Sequence, residues 1–189
     1  MLEDKKLIKQ CKKGSRSAFN ELVLQYQDQV VNFAYSMLSD REDAYDAAQE
    51  VFIKVYKNIG SFEEKSSFNT WLYKICSNVC KDILRKRRVR SNVISIDTGD
   101  YDDEALDIED DRYTPEGALE QSEAQKRVRA AMSVIKDEYR EIITYCDIQQ
   151  KSYEETAAIL QCPVGTVKSR LNRARMALKR RLEEQGENI

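Results

Sequence analysis

The chain has 189 residues, with 31 Lys and Arg against 33 Asp and Glu, a formal net charge of −2 and no histidine. Charged residues make up 34% and hydrophobic ones 41%, which suits a packed fold rather than a disordered tail, and no apolar run reaches the roughly 20 residues a bilayer demands. With no His, six Gly and two Pro, the composition removes most catalytic and metal-binding arrangements and disfavours a strand-rich fold. An all-α protein of cytoplasmic location is predicted, built as one domain or two small ones and needing no metal or cofactor. The charged opening MLEDKKLIKQCKK does not read as a secretory signal. Five cysteines (Cys11, Cys76, Cys80, Cys146 and Cys162) show no CxxC spacing. They read as packed thiols rather than a zinc site or a redox pair, although Cys76 and Cys80 can share a helix face.

In chain order, Phe19, Leu22, Val23, Tyr26, Val30, Phe33 and Met37 recur at three- and four-residue steps and predict an amphipathic helix opened by Ser17 as N-cap. A second helix follows Asp40, with Ala44, Ala47, Ala48, Val51, Phe52, Val55 and Ile59 facing inward and Gly60 ending it. After a short loop, a third helix begins near Ser67 and buries Phe68, Leu72, Ile75, Val79 and Ile83. Three such helices can pack as a small bundle.

Residues 97–123 then hold twelve acids against Arg112 alone, so the near-neutral total conceals a basic remainder. Like charges repel, and little apolar area is present to offset the ordering entropy; the segment reads as a solvated linker. The predicted organisation is therefore a helical unit over 1–92, an acidic linker over 93–117 and a second helical unit over 118–189. In the second unit, helices are expected over about 120–135 and 138–146. Ser152-Tyr-Glu-Glu155 is a capping box opening a short helix that ends near Leu160. Gln161-Cys162 makes a turn, and Pro163 takes the first position of a last helix. A short helix, a tight turn and a longer basic helix form a helix-turn-helix pattern.

Three surfaces stand out. The last helix buries Val164, Val167, Leu171, Ala174 and Leu178 and turns Thr166, Ser169, Arg173, Met176 and Arg180 outward, flanked by Arg170 and Asn172. Residues 163–181 carry seven Lys or Arg and no acid, which suits insertion into a major groove, with Arg forking to guanine and hydroxyls reaching phosphate. On the third helix, Trp71, Lys74, Asn78, Lys81 and Arg85 form a stripe continued by the basic run Lys86-Arg87-Arg88. A ring, an amide and cations in that order can stack on a base, read its edge and neutralise phosphates, the requirements for holding an unpaired strand. An ordinary basic helix end with a seam tryptophan also fits those residues. The outward side of the second helix presents Asp46, Gln49, Glu50 and Ile53, a solvated acidic face or a dock for a basic helix with Ile53 as anchor.

The stretches DAYDAAQEVFIKVYKNIGSF and SSFNTWLYKICSNVCKDILRKRR closely resemble region 2 of bacterial RNA polymerase sigma factors of the extracytoplasmic-function type, and SYEETAAILQCPVGTVKSRLNRARMALKRRL resembles their region 4. The likeness covers both helical units in order. It implies that Asp46, Gln49, Glu50 and Ile53 meet the β′ clamp helices of core RNA polymerase, while the second unit meets the β flap. It implies that Phe62, Lys65, Trp71, Lys74, Asn78, Lys81, Arg85, Arg87 and Arg88 open and hold the −10 element. Thr166, Lys168, Ser169, Arg170, Asn172 and Arg173 would read the −35 element, with Lys168, nearer the buried edge, suited to a phosphate. Tyr45 departs from the family pattern, which often has an acid there. Regulation by an anti-sigma factor and a stress or cell-envelope regulon are further implications, and the role is non-catalytic. A conventional helix-turn-helix repressor would leave the Trp71/Asn78 stripe without a purpose, an enzyme would lack a recognisable catalytic set, and a scaffold would not explain the acid-free helix.

Overall fold

In a computed structural model, describing residues 2–63, 65–97 and 123–186, the chain forms eight α-helices and no strand among those residues. The first, α1 (Leu2–Lys12), is one the apolar pattern did not announce: among the residues whose burial is described it puts Leu7, Ile8 and Cys11 into the core, few enough among lysines not to register as a stripe. Its end is nonetheless written locally. Gly14 sits at φ 84, Ser15 N donates to Gln10 O at 3.2 Å and Gly14 N to Cys11 O at 2.9 Å, a closure that needs a left-handed residue at that point.

Helix α2 (Arg16–Leu38) is capped by Ser15, whose hydroxyl accepts from Ala18 N at 3.3 Å, not by Ser17, because the chain emerging from the Gly14 turn reaches helical geometry two residues early. Helix α3 (Arg41–Asn58) follows Asp40 as expected, with the Asp40 carboxylate capping it by accepting from Asp43 N at 2.7 Å, and the seven residues predicted to face inward are all buried. A single tighter turn (Ile59–Ser61) leads towards α4 (Phe68–Asp97), whose first turn Ser67 closes by accepting from Thr70 N at 3.1 Å. The buried arc of α4 is wider than predicted. Tyr73, Cys76, Ser77, Cys80 and Leu84 are buried along with Phe68, Leu72 and Val79, whereas Ile75 and Ile83 are only half-buried. The reason is that α4 is covered from two sides, by α2 and α3 of its own unit and by the second unit. The acidic segment falls, from residue 98 on, outside the described residues.

The second unit comprises α5 (Glu123–Val134), α6 (Asp137–Ile143), α7 (Tyr153–Leu160) and α8 (Val164–Gly186). Helix α6 runs on into one widened turn, Thr144–Ile148. Met132, Ile142, Ile143, Ala157, Val167, Leu171 and Ala174 form its core. The capping box at α7 is complete: Ser152 Oγ accepts from Glu155 N at 3.1 Å and the Glu155 carboxylate accepts from Ser152 N at 2.9 Å. Pro163 lies one position outside α8, where its carbonyl accepts from Thr166 and Val167 N at 2.9 and 3.2 Å, so it serves as cap rather than as first helical residue.

The box carries a pH signature. Hydrogen bonds from the Ser152 backbone and hydroxyl hold the Glu155 carboxyl below its ordinary value. A carboxyl lowered on folding stabilises the fold above its unfolded range, and that contribution is lost as pH falls through the lowered value. Ser152→Ala is therefore expected to cost about 1 kcal/mol at neutral pH, with the gap to the parent narrowing in acid. Urea titrations of both proteins at several pH values check this, and a gap independent of pH would refute the role given to the carboxylate.

The two units share a core. Tyr145, fully buried, enters the first unit beside Phe33 and Tyr73, with ring centroids 4.9 and 6.0 Å away, and its hydroxyl donates to Tyr73 O at 3.2 Å. Tyr73 in turn donates to Gln149 Oε1 at 2.8 Å. Burial pushes both phenols above the ordinary tyrosine value, so both stay protonated and donating.

Candidate nucleic-acid interface

Helical spacing brings the predicted stripe of α4 together. Lys74, Asn78 and Arg85 are exposed on one side and Trp71 is half-buried at its start. The Trp71 ring leans on Phe62 and Phe68, with centroids 5.1 and 5.8 Å apart, leaving the rest of the indole to solvent. Phe62 itself is buried, with the Lys12 ammonium 5.5 Å from its ring centre. It therefore supports Trp71 here instead of offering a face of its own. Beside Asn78 an open depression of about 520 Å³ lies between α3 and α4, floored by Ile75 and edged by Asn58, Lys54 and Arg85. Lys65 in the preceding loop is exposed and pairs with Glu63.

The cations expected along the phosphate track are differently engaged. Lys81 lies 2.8 Å from the buried carboxylate of Glu141, which also accepts from Ser77 Oγ. Arg88 pairs with Asp137, and Arg87 pairs with Asp43 while donating to Leu38 O at 3.0 Å. Arg85 meets Asp82 at 2.9 Å on its own helix. Lys74 has no carboxylate partner among the described residues.

On α8 the sorting of charges is sharper. Lys168, Ser169, Asn172 and Arg173 are exposed, with Thr166 and Arg170 half-buried at the flanks. Lys168 stands clear of the buried edge that the helical wheel assigned it, its ammonium 5.7 Å from the Tyr153 ring centre. Arg173 Nε donates to Ser169 O at 3.3 Å and Ser169 Oγ to Thr166 O at 3.1 Å, so this front is pre-arranged by its own backbone. Lys168, Arg170 and Arg173 have no carboxylate partner among the described residues. The cations further along are neutralised: Arg175 by Asp147 at 3.0 Å, Arg180 and Arg181 by Glu184 at 3.1 and 2.9 Å. Uncompensated positive charge is thus confined to the N-terminal half of α8, the half that the helix-turn-helix brings forward.

On α3, Asp46, Gln49 and Ile53 are exposed and Glu50 is half-buried, paired with Lys54 at 2.9 Å. The predicted acidic patch borders something the sequence reading did not see, a groove of about 1130 Å³ between α2 and α3 with Val23, Val31 and Phe52 on its floor. Tyr45, Ile53 and Tyr56 rim it, each at least half exposed. Tyr45, which departs from the family pattern, supplies an apolar rim there. Cys76 is fully buried, its thiol pushed well above the ordinary value by burial, and Cys80 is equally inaccessible. Both behave as packed thiols.

Sequence reasoning also missed Arg140, Glu141 and Tyr145. The signal was present but faint: Ile142 and Ile143 face one way while Arg140, Glu141, Thr144 and Tyr145 fill a second arc, so the stretch 140–145, from the end of α6 into the widened turn, is buried all round.

Comparison with known proteins agrees with this geometry. Residues 22–90 match the family described as Sigma-70 region 2 and residues 125–178 that described as Sigma-70, region 4. The chain is 37% identical over 184 residues to the ECF RNA polymerase sigma factor SigW of Bacillus subtilis, covering 95% of this chain and 97% of that protein. It is 35% identical over 186 residues to the RNA polymerase sigma-H factor of Pseudomonas aeruginosa, covering 96% and 94% respectively. Among solved structures, the sigma factor RpoE in complex with the anti-sigma factor NepR from Bartonella quintana superposes with a TM-score of 0.64 at 29% identity, over 87% of this chain and 96% of that one. CnrH, solved in complex with the cytosolic domain of CnrY, shares the fold with a TM-score of 0.69 at 24% identity, over 96% of this chain and 98% of that one. Two region matches in the right order, carried on near full-length likeness, make the chain a member of the ECF group of the sigma-70 family, the sigma factors that direct RNA polymerase to promoters.

Proposed function

We propose that this sigma factor works through three separate surfaces. The acidic and apolar face of α3, with Asp46, Gln49, Glu50 and Ile53, docks the β′ clamp helices of core RNA polymerase, and the second unit reaches the β flap. The α4 stripe of Trp71, Lys74 and Asn78 captures the unpaired −10 strand. The front of α8, with Lys168, Ser169, Arg170, Asn172 and Arg173, reads the −35 duplex from the major groove. The observation that carries the reading is the charge sorting on α8, where the three cations without a carboxylate partner among the described residues cluster at the groove-entering end. The chain acts in the cytoplasm, where polymerase and promoter are, without catalytic activity of its own. An anti-sigma factor restrains it, as one binds the similar RpoE, and a stress or cell-envelope regulon is served.

Each DNA surface neutralises only a handful of phosphates, so neither should hold a promoter well at cellular salt. Joined on one polymerase, both act at high effective concentration. Run-off transcription with core polymerase on a panel of genomic promoter fragments tests the function: the added chain is expected to start RNA at a small subset of them. Equal initiation with and without it would overturn the reading. Footprinting the isolated chain on a selected promoter should show little protection, and tight sequence-specific protection without polymerase would contradict the division between surfaces.

A further inference from the structure

One line of α8 changes character half-way along. Residues 168, 172, 175 and 179 follow one another at four- and three-residue steps, and all four are exposed. Lys168 and Asn172 belong to the front assigned above to the −35 duplex, and Arg175 follows one turn later on the same side. Position alone would let Arg175 add a further phosphate to that row of contacts. The side chain is engaged elsewhere: its Nε donates to the Asp147 carboxylate at 3.0 Å, and its Nη2 donates to the other oxygen of the same group.

The acceptor is held independently of the arginine. Asp147 lies in the widened turn Thr144–Ile148, in which Thr144 and Tyr145 are fully buried. Beside them Cys146 Sγ lies 3.6 Å from Thr156 Oγ1 on α7, and Asp147 O accepts from Gln150 Nε2 at 3.2 Å. Packing therefore fixes the backbone that presents this carboxylate to α8. The pair itself is at the surface, with 55% of the Arg175 side chain and 32% of the Asp147 side chain exposed, so it contributes little to folding. Its larger effect is on what the arginine can bind. A guanidinium fork closed on a carboxylate has its charge balanced and two of its donors taken.

We propose that Asp147 sets a ceiling on sequence-independent DNA binding: by holding Arg175 it withholds one phosphate contact from the −35 surface. Asp147 is a positioning residue in this role, acting through Arg175, and the inference rests on the −35 reading of α8 given above. A further phosphate contact strengthens binding to every duplex alike, whereas base edges tell sequences apart. Where polymerase already fills promoters with a matching −35 element, such a gain raises occupancy chiefly at mismatched ones. Withholding the contact keeps initiation dependent on the bases met by Ser169, Asn172 and Arg173.

The test uses the full chain with Asp147→Asn, which keeps the side-chain shape and removes its charge, with Arg175→Gln, and with both changes together. Each protein is titrated against a labelled DNA duplex of random sequence by fluorescence anisotropy across a salt series. Asp147→Asn is expected to bind about fivefold more tightly at low salt, with the slope of log affinity against log salt steeper by about 0.9, the increment for one phosphate. The double variant has no arginine to release and should show no steepening relative to Arg175→Gln. Removal of a surface acid in general would instead give the same gain in both backgrounds, and that result would overturn the inference, as would weaker binding by Asp147→Asn. Run-off transcription with saturating polymerase then compares a promoter selected as above with the same promoter carrying a scrambled −35 element. Asp147→Asn should raise initiation from the scrambled one relative to the matched one, and an unchanged ratio would overturn the ceiling. Arg173→Ala separates the two readings. If it leaves random-duplex binding of the parent untouched, the −35 role of α8 falls and this inference with it. If it weakens that binding while Asp147→Asn alters no slope, the role of Asp147 falls and the −35 assignment stands.

Discussion

Replacing Arg140 by Met is expected to destabilise the protein by at least about 3 kcal/mol. The side chain is 4% exposed, and its guanidinium donates to four carbonyls, those of Met132 and Met37 at 2.7 Å, Ile135 at 3.4 Å, and Ser133. Met132 and Ser133 belong to the last turn of α5 and Met37 to the last turn of α2. These are carbonyls with no partner within their own helices, and a cation is favoured at such an end. Burial pulls the guanidinium below its ordinary value, with Asp137 opposing, but an arginine so placed remains charged. Methionine fills a similar volume and donates nothing, so up to four acceptors lose a charged donor, three of them in buried hydrogen bonds. Arg140→Lys should recover only part of the loss, since one ammonium has three donors at a point instead of a planar fork. Urea denaturation followed by circular dichroism measures both. A Met variant within about 0.5 kcal/mol of the parent would show that the carbonyls find other partners.

Arg140 also marks where sequence reasoning stops. The helices of the first unit were legible because apolar residues recur at helical steps, and such a pattern is a statement about one element and one buried face. Ser152 and Glu155 were legible because capping is settled within four residues. The wider arc of α4 and the second face of α6 were not, because they are buried by a unit distant in sequence. A polar residue on such a face looks solvated until its partner is known. The α8 front was read in advance since it needs only one helix and one turn. That its cations divide into uncompensated and neutralised halves depends on Asp147, a residue of the widened turn after α6 and 28 positions away from Arg175, and on the distal acids Glu183 and Glu184. The α2/α3 groove escaped for a third reason: it is a concavity between two helices, each of which, taken singly, shows only a scatter of exposed tyrosine and isoleucine.

Asn78→Ala and the pair Asp46→Lys with Glu50→Lys are expected to fail at different steps of initiation. Asn78 is exposed at the centre of the α4 stripe, beside the depression edged by Asn58 and floored by Ile75. Its amide can both donate to and accept from the edge of a single base, contacts worth roughly 1–3 kcal/mol of discrimination. Its loss should therefore reduce promoter opening about tenfold, read as permanganate reactivity of unpaired thymines, with the affinity for core polymerase unchanged. Trp71→Ala is a less clean variant of the same step. Its ring packs on Phe62 and Phe68, so truncation also loosens the start of α4. Asp46 and Glu50 are carried by a different helix, α3, together with Ile53 and the rim tyrosines Tyr45 and Tyr56. Reversing both charges leaves the apolar groove intact and repels a basic partner helix, which should lower association with core polymerase at least about tenfold and do so less at high salt. Since Glu50 pairs with Lys54 only at the surface, stability should move by no more than about 0.5 kcal/mol. Supplying enough polymerase to saturate the charge-reversed protein should restore opening, whereas saturation cannot rescue Asn78→Ala. Equal loss of polymerase association in both would mean that α3 and α4 form one surface, and the separation of docking from strand capture would have to be abandoned.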